Sequence, residues 1–182
     1  MEIIKTKIKD LLILKPKVHN DGRGYFMESF NFKIFKELFP DIKFIQDNES
    51  KSSYGVLRGL HFQKPPYEQT KLVRVVKGCI MDVVVDLRTG SDSFGKHEKV
   101  ELSEKNKHQL LVPKGFAHGF IVLSKYAIVN YKVDNFYSKN HEMGIIFNDP
   151  SININWVIKD TDFVISKKDR NLVSLDKLNN PF

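Results

Sequence analysis

Between Lys71 and Phe147 the chain is a succession of short apolar runs bounded by Gly, Pro, Asn, Asp or Ser, and this rhythm leaves few architectures open. Strands are expected at residues 71–76, 80–87, 98–102, 109–112, 119–123, 127–133 and 144–147. Lys77-Gly78, between two Val-rich runs, reads as a hairpin turn. Upstream, residues 11–14 form a strand closed by Pro16. His19-Asn20-Asp21-Gly22-Arg23-Gly24 is a turn cluster, and Tyr25 to Phe30 a second strand. Asn31 is placed to cap one helix, with Phe32, Phe35, Leu38 and Phe39 on one face and Pro40 as its stop. Residues 43–48 return to β, 49–54 read as a polar loop, and 55–63 as a further strand. Many short strands with one early helix predict an all-β fold, a jelly-roll barrel with a few short peripheral helices. No linker, repeat or low-complexity tract interrupts it, so one domain is expected over residues 1–182.

Composition narrows the function classes. The 182 residues are 41% hydrophobic and 28% charged, as in a globular domain. The net charge of +7 would suit an anionic partner, but the lysines are scattered among acidic residues and form no nucleic-acid stripe. A nucleotide or phosphorylated metabolite fits the charge equally well. Cys79 is the single cysteine and has no disulfide partner within the chain, which agrees with a reducing, cytoplasmic setting. No apolar run approaches a membrane span, and the N-terminus lacks the apolar stretch of a signal peptide.

A jelly roll opens at one end, so chemistry belongs on the inward faces of its strands. Within Gly55-Val56-Leu57-Arg58-Gly59-Leu60-His61-Phe62-Gln63 a cation and a histidine sit inside an apolar strand. Strict alternation sends Arg58 and His61 to opposite faces; both reach one pocket only if the strand kinks or bulges, and Gly59 is placed to allow it. Lys71 shares a face with Val73 and Val75. It either meets an anion inside or snorkels from the strand end. Asp82 and Asp86 lie on one strand face and read as solvated, paired with Arg74 or Arg88. Val112-Pro113-Lys114-Gly115-Phe116-Ala117-His118-Gly119-Phe120 is similar to the second cupin motif, which turns a histidine inward. The earlier strand supplies His61 alone. Two histidines without an acid at the expected spacing argue against a metal site. His19, His97, His108 and His141 stand in polar contexts and read as surface. Tyr131 reads as a core tyrosine, Tyr137 as a loop aromatic or a stacking surface for a base.

Taken together, the Arg-Gly-Leu-His-Phe-Gln run of residues 58–63, the Gly-Phe-Ala-His-Gly-Phe run of 115–120, Tyr131-Lys132 and Ser166-Lys167-Lys168-Asp169 resemble the dTDP-4-dehydrorhamnose 3,5-epimerase family. Asp21 to Phe30, Gln46-Asp47-Asn48, Lys71-Leu72-Val73, Asp82 to Arg88 and Asn148-Asp149-Pro150 extend the likeness nearly end to end. The resemblance implies a cupin-like homodimer without metal or organic cofactor, acting on a dTDP-4-keto-6-deoxy sugar. It implies His61 as the base, Asp169 as its carboxylate partner, Tyr131 as the acid on the opposite face and Lys71 beside the keto oxygen. Arg23, Glu28, Gln46, Asn48, Arg58, His118, Glu142 and Lys168 match positions that bind the nucleotide sugar, and Tyr137 an aromatic that stacks on thymine. The N-terminal segment with Arg23 and Glu28 is implied to come from the partner.

The chemistry makes independent sense of these residue types. Inverting a carbon next to a ketone requires removing its proton and returning one from the other side, so two proton carriers must flank the ring. A histidine braced by a carboxylate suits the first task, and a cation near the enolate oxygen stabilises the intermediate. Gly22, Leu111 and Val133-Asp134 depart from the family pattern. They touch shape, leaving the proposed proton carriers in place.

Overall fold

The computed structural model describes all 182 residues. Two sheets face each other. The first is built from β1 (Glu2–Lys5), β2 (Leu12–Lys15), β5 (Gln46–Ser53), β7 (Lys71–Lys77), β10 (Gln109–Val112) and β12 (Tyr126–Val133), in the order β1-β2-β10-β7-β12-β5. The second is built from β6 (Val56–Gln63), β8 (Cys79–Asp86), β9 (His97–Ser103), β11 (Phe116–Val122) and β13 (Glu142–Gly144), in the order β13-β6-β11-β8-β9. A short strand, β14 (Val164–Ile165), pairs parallel with β6. A separate hairpin, β3 (Val18–Asp21) with β4 (Gly24–Met27), stands apart from both sheets. Two short α-helices complete the chain, α1 (Phe32–Leu38) and α2 (Lys167–Arg170). No helix is long and apolar enough to cross a membrane.

The barrel interior is apolar at one end. Val73, Val75, Leu110, Val112, Ala127 and Val129 of the first sheet meet Ile80, Val84, Val100, Leu102, Phe116, Phe120 and Val122 of the second, all buried. Apart from Ala127, each such side chain contributes about 1.5–3 kcal/mol through burial, before chain entropy is set against it. Outside the second sheet, the C-terminal segment lays Ile145, Ile152, Trp156 and Leu178 over Leu57, Phe62, Val83, Val85 and Ile121. Outside the first sheet, Phe35 of α1 packs on Leu14, Leu72 and Leu111, with Phe30, Phe39 and Phe44 around it. The outer face of the second sheet is covered, α1 covers part of the first, and polar residues of both sheets gather at the open end of the barrel.

Four local expectations are corrected. Lys77-Gly78 is not a hairpin turn, because β7 belongs to the first sheet and β8 to the second; the dipeptide is where the chain crosses between sheets. Gly78 adopts φ +84°, and a Cβ there would run into the Tyr126 carbonyl, so the crossing needs glycine. The polar stretch after Asn48 is not a loop but the body of β5, an edge strand paired along its whole length with β12. Its alternating exposure shows why apolar content failed to mark it: backbone pairing to a neighbour suffices where one face is wet. The helix forms with Asn31 as its cap, the side-chain oxygen accepting from the amides of Lys33 and Ile34. Only Phe35 and Phe39 face the sheet, whereas Phe32 and Leu38 are exposed. Asp82 and Asp86 are not solvated: both are 0% exposed. Asp86 is locked by Arg88, Ser91 and Ser93, which accounts for it structurally.

Candidate active site

The open end of the barrel encloses a cavity of about 540 Å³ whose lining comes from both sheets. From β6 come Arg58 and His61, three residues apart. Strict alternation would separate them, and the strand breaks it. β6 pairs with β11 at His61–His118 and at Arg58–Phe120, so its register shifts between these pairs. Gly59 sits in the shift with φ +128°, and an added Cβ there would approach the Gly119 Cα to 2.6 Å. Two glycines facing each other therefore let the bulge form, and the bulge aims Arg58 and His61 into one space.

His61 is braced by the far end of the chain. Its Nε2 lies 2.8 Å from Asp169 Oδ1, and Asp169 Oδ2 accepts the Gly59 amide at 3.2 Å. Ser166 caps α2 by accepting the Asp169 amide, which fixes this carboxylate, itself 4% exposed, against the bulge. Burial pushes the Asp169 carboxyl up, but the hydrogen bond and charge of His61, with the Gly59 amide and Ser166, hold it below the usual range. An ionised Asp169 makes Nε2 the proton-bearing nitrogen, and Nδ1, which has no partner in the chain, keeps its lone pair.

Opposite, the first sheet presents Lys71 and Tyr131 on neighbouring strands, with Tyr131 in register with Val73. Lys71 makes no hydrogen bond or ion pair. Burial lowers its ammonium to about 8, against the opposing charges of Asp82 and Glu142. Burial raises Tyr131, Arg58 opposes that shift and Glu142 adds to it. His118, on β11 beside His61, directs Nε2 at 2.9 Å to Asp82 Oδ2, and Asp82 Oδ1 has no partner. Burial raises the Asp82 carboxyl, countered by the charge and hydrogen bond of His118 and the charge of Lys71. At the mouth, Glu142 accepts from the Tyr137 hydroxyl at 2.9 Å and from Lys168 at 2.6 Å. No group of three His, Cys, Asp or Glu side chains is arranged to hold a metal ion.

The family model for dTDP-4-dehydrorhamnose 3,5-epimerase matches residues 5–177. A Shigella flexneri dTDP-4-dehydrorhamnose 3,5-epimerase is 55% identical over 172 residues, 94% of each chain. The chain belongs to the dTDP-4-dehydrorhamnose 3,5-epimerase family. Its activity is that of the family. Among solved structures, the epimerase from Elizabethkingia anophelis superposes with TM-score 0.93 at 50% identity, covering 99% of this chain and 98% of that one. The Legionella pneumophila dTDP-6-deoxy-D-glucose-3,5-epimerase, solved with dTDP-4-keto-L-rhamnose, superposes with TM-score 0.93 at 44% identity, covering 98% and 94%. The cupin-like fold is therefore shared along the whole epimerase.

The cavity of this epimerase gathers His61, Arg58, Lys71, His118, Tyr131, Tyr137, Glu142 and Asp169. Lys168 joins them through Glu142. Gln46 and Asn48, bonded to each other at 2.8 Å, stand opposite Val133 and Tyr131 on β5 but outside the cavity lining. Arg23 and Glu28 do not reach it within one chain. The Arg23 side chain is 91% exposed on the β3–β4 hairpin and paired with Asp21, while Glu28 accepts from Asn31. Three residues escaped the sequence reading. Asp82 reads as one more acidic residue on a wet strand, and only the closed barrel shows it buried against His118. Gln63, 5% exposed, donates to the Tyr67 and Phe136 carbonyls and accepts the Ser138 amide, so it clamps the loop that carries Tyr137. Its place in the Arg-Gly-Leu-His-Phe-Gln run was the available signal. Ser52, inside a stretch read as loop, accepts Arg58 Nε at 3.0 Å and gave none.

Proposed function

We propose that the cavity binds a dTDP-4-keto-6-deoxy sugar and that His61 Nδ1 removes the proton from C3 and from C5, each next to the C4 ketone. The electron pair moves onto the keto oxygen, giving an enolate that the Lys71 ammonium, partly buried in the cavity lining, stabilises. Tyr131 returns a proton from the opposite side, inverting the carbon, and exchange with solvent then takes the proton from His61 and restores that of Tyr131 before the second carbon reacts. The observation that carries this reading is the opposition of the braced His61, on the second sheet, to Tyr131, on the first, across one cavity. The protonation states of Asp169 and Tyr131 agree with the roles. Asp169 is ionised, which stabilises the imidazolium once formed, and burial keeps the proton on Tyr131 until the enolate needs it. The exchange moves protons only, so no organic cofactor or metal is assigned.

Arg58 is assigned to the diphosphate, a group its fork suits, and Tyr137, 57% exposed, to the thymine face. His118, Glu142, Lys168, Gln46 and Asn48 are assigned to the rest of the nucleotide sugar. A homodimer accounts for Arg23 and Glu28. They stand at and beside a hairpin whose Tyr25 and Phe26 are 55% and 68% exposed, a surface suited to lie over a second copy's cavity mouth. Turnover of the dTDP-4-keto sugar in heavy water, followed by NMR, tests the chemistry. Solvent deuterium is expected at both C3 and C5 of the product. Deuterium at one carbon reduces the enzyme to a single-site epimerase, and none at either ends the proposal.

A further inference from the structure

Arg58 is held in an unusual way for a guanidinium beside a substrate cavity. It makes no ion pair, and its one hydrogen bond runs from Nε to the Ser52 hydroxyl at 3.0 Å. Ser52 is 5% exposed and lies on β5, in register with Ala127, so the bond spans from the edge of the first sheet to the bulge of the second. Because Nε, Cζ and both terminal nitrogens are coplanar, fixing Nε fixes the plane of the whole fork. The four N–H groups on the terminal nitrogens are left without a protein acceptor. A carboxylate at position 52 would hold Arg58 as well but would offset its charge, whereas a hydroxyl supplies the acceptor and leaves the full positive charge for an anion.

We propose that Ser52 is a positioning residue of this epimerase, whose neutral hydroxyl fixes the Arg58 fork toward the substrate diphosphate. This rests on the assignment of Arg58 to that diphosphate. Without Ser52, a side chain rich in rotamers must be ordered at each binding event, and that loss falls on binding more than on proton transfer.

The test compares wild type, Ser52→Ala, Ser52→Thr, Arg58→Ala and the Ser52→Ala/Arg58→Ala double variant. It uses dTDP affinity by calorimetry together with kcat and KM for the keto sugar. Arg58→Ala is expected to weaken dTDP binding about tenfold or more. Ser52→Ala should weaken it about fivefold and raise KM by a similar factor, with a smaller change in kcat. Ser52→Thr, which keeps the hydroxyl, should restore both, and the double variant should bind no worse than Arg58→Ala. If Arg58→Ala weakens binding while Ser52→Ala does not, Ser52 has no positioning role. An equal loss from Ser52→Ala in the Arg58→Ala background shows that it acts on the fold instead, and also overturns the proposal. Undiminished dTDP binding by Arg58→Ala itself overturns the assignment of Arg58, and the role of Ser52 falls with it.

Discussion

Replacing Asp169 by Asn keeps the size of the side chain and removes one charge and one acceptor, which isolates what this carboxylate does. Its two oxygens accept from two donors, His61 Nε2 at 2.8 Å and the Gly59 amide at 3.2 Å. An asparagine has one acceptor and one donor, so it satisfies one of them at most. With its amide nitrogen toward Gly59, two donors face each other beside the bulge that aims Arg58, at a cost of about 1–3 kcal/mol. With that nitrogen toward His61, Nε2 must accept, the ring proton moves to Nδ1, and the base is lost. In the first arrangement the imidazolium formed on proton abstraction has no counter-charge. A charge-assisted hydrogen bond of about 1.5–3 kcal/mol alone corresponds to roughly tenfold to a hundredfold, and the tautomer change adds to it. Asp169→Asn should therefore lower kcat about a thousandfold with little change in KM; the comparable change in a Ser-His-Asp triad costs about 10⁴. Initial rates and solvent-deuterium uptake by NMR measure it, with dTDP affinity as the control for an intact site. A kcat within about tenfold of wild type, with uptake at the wild-type rate, would refute the role of the brace. Stability gives a second readout. The folded Asp169 lies below its ordinary value, so its contribution is fully present above about pH 4 and is lost as pH falls through the folded value. The gap in unfolding temperature between wild type and Asp169→Asn should close over that acid range.

The charge on Lys71 should shape the basic side of the pH profile. With its ammonium lowered to about 8, kcat/KM should fall above that pH, and Lys71→Arg, charged throughout, should move the limb upward. Because the folded value lies below the unfolded one, the same group makes stability rise with pH between about 8 and 10, which titration of the unfolding midpoint checks. His118→Ala strands the 0% exposed Asp82 without its one partner and should cost about 3–5 kcal/mol in urea unfolding, part of it recovered by adding Asp82→Asn. Gly59→Ala places a Cβ at φ +128° against the Gly119 backbone and should lower the unfolding temperature by roughly 5–10 °C while abolishing turnover. If each site takes Arg23 from the partner, mixing inactive Arg23→Ala and His61→Ala proteins through unfolding and refolding should recover about one quarter of wild-type activity. No recovery would place Arg23 in the site of its own chain.

The sequence by itself determined what depends on local pattern. The short apolar runs specified β10 and β12 closely, and Asn31 specified where α1 begins, because alternation and capping are settled by neighbours in the chain. It also identified the family and the residue types that the chemistry needs. Tertiary structure decided where those side chains point. His61 and Asp169 are 108 residues apart, and nothing local to α2 says that its carboxylate meets a histidine. Lys77-Gly78 has the composition of a hairpin, yet the partners available to β7 and β8 in two different sheets make it a crossing. Asp82 has the look of a wet strand face because the strand's own pattern cannot show that the barrel closes over it; a buried carboxylate is tolerable only where another strand brings His118. At Gly59 the two levels meet: the glycine permits a bulge, but pairing with β11 across Gly119 makes it, and with it brings Arg58 and His61 to one cavity.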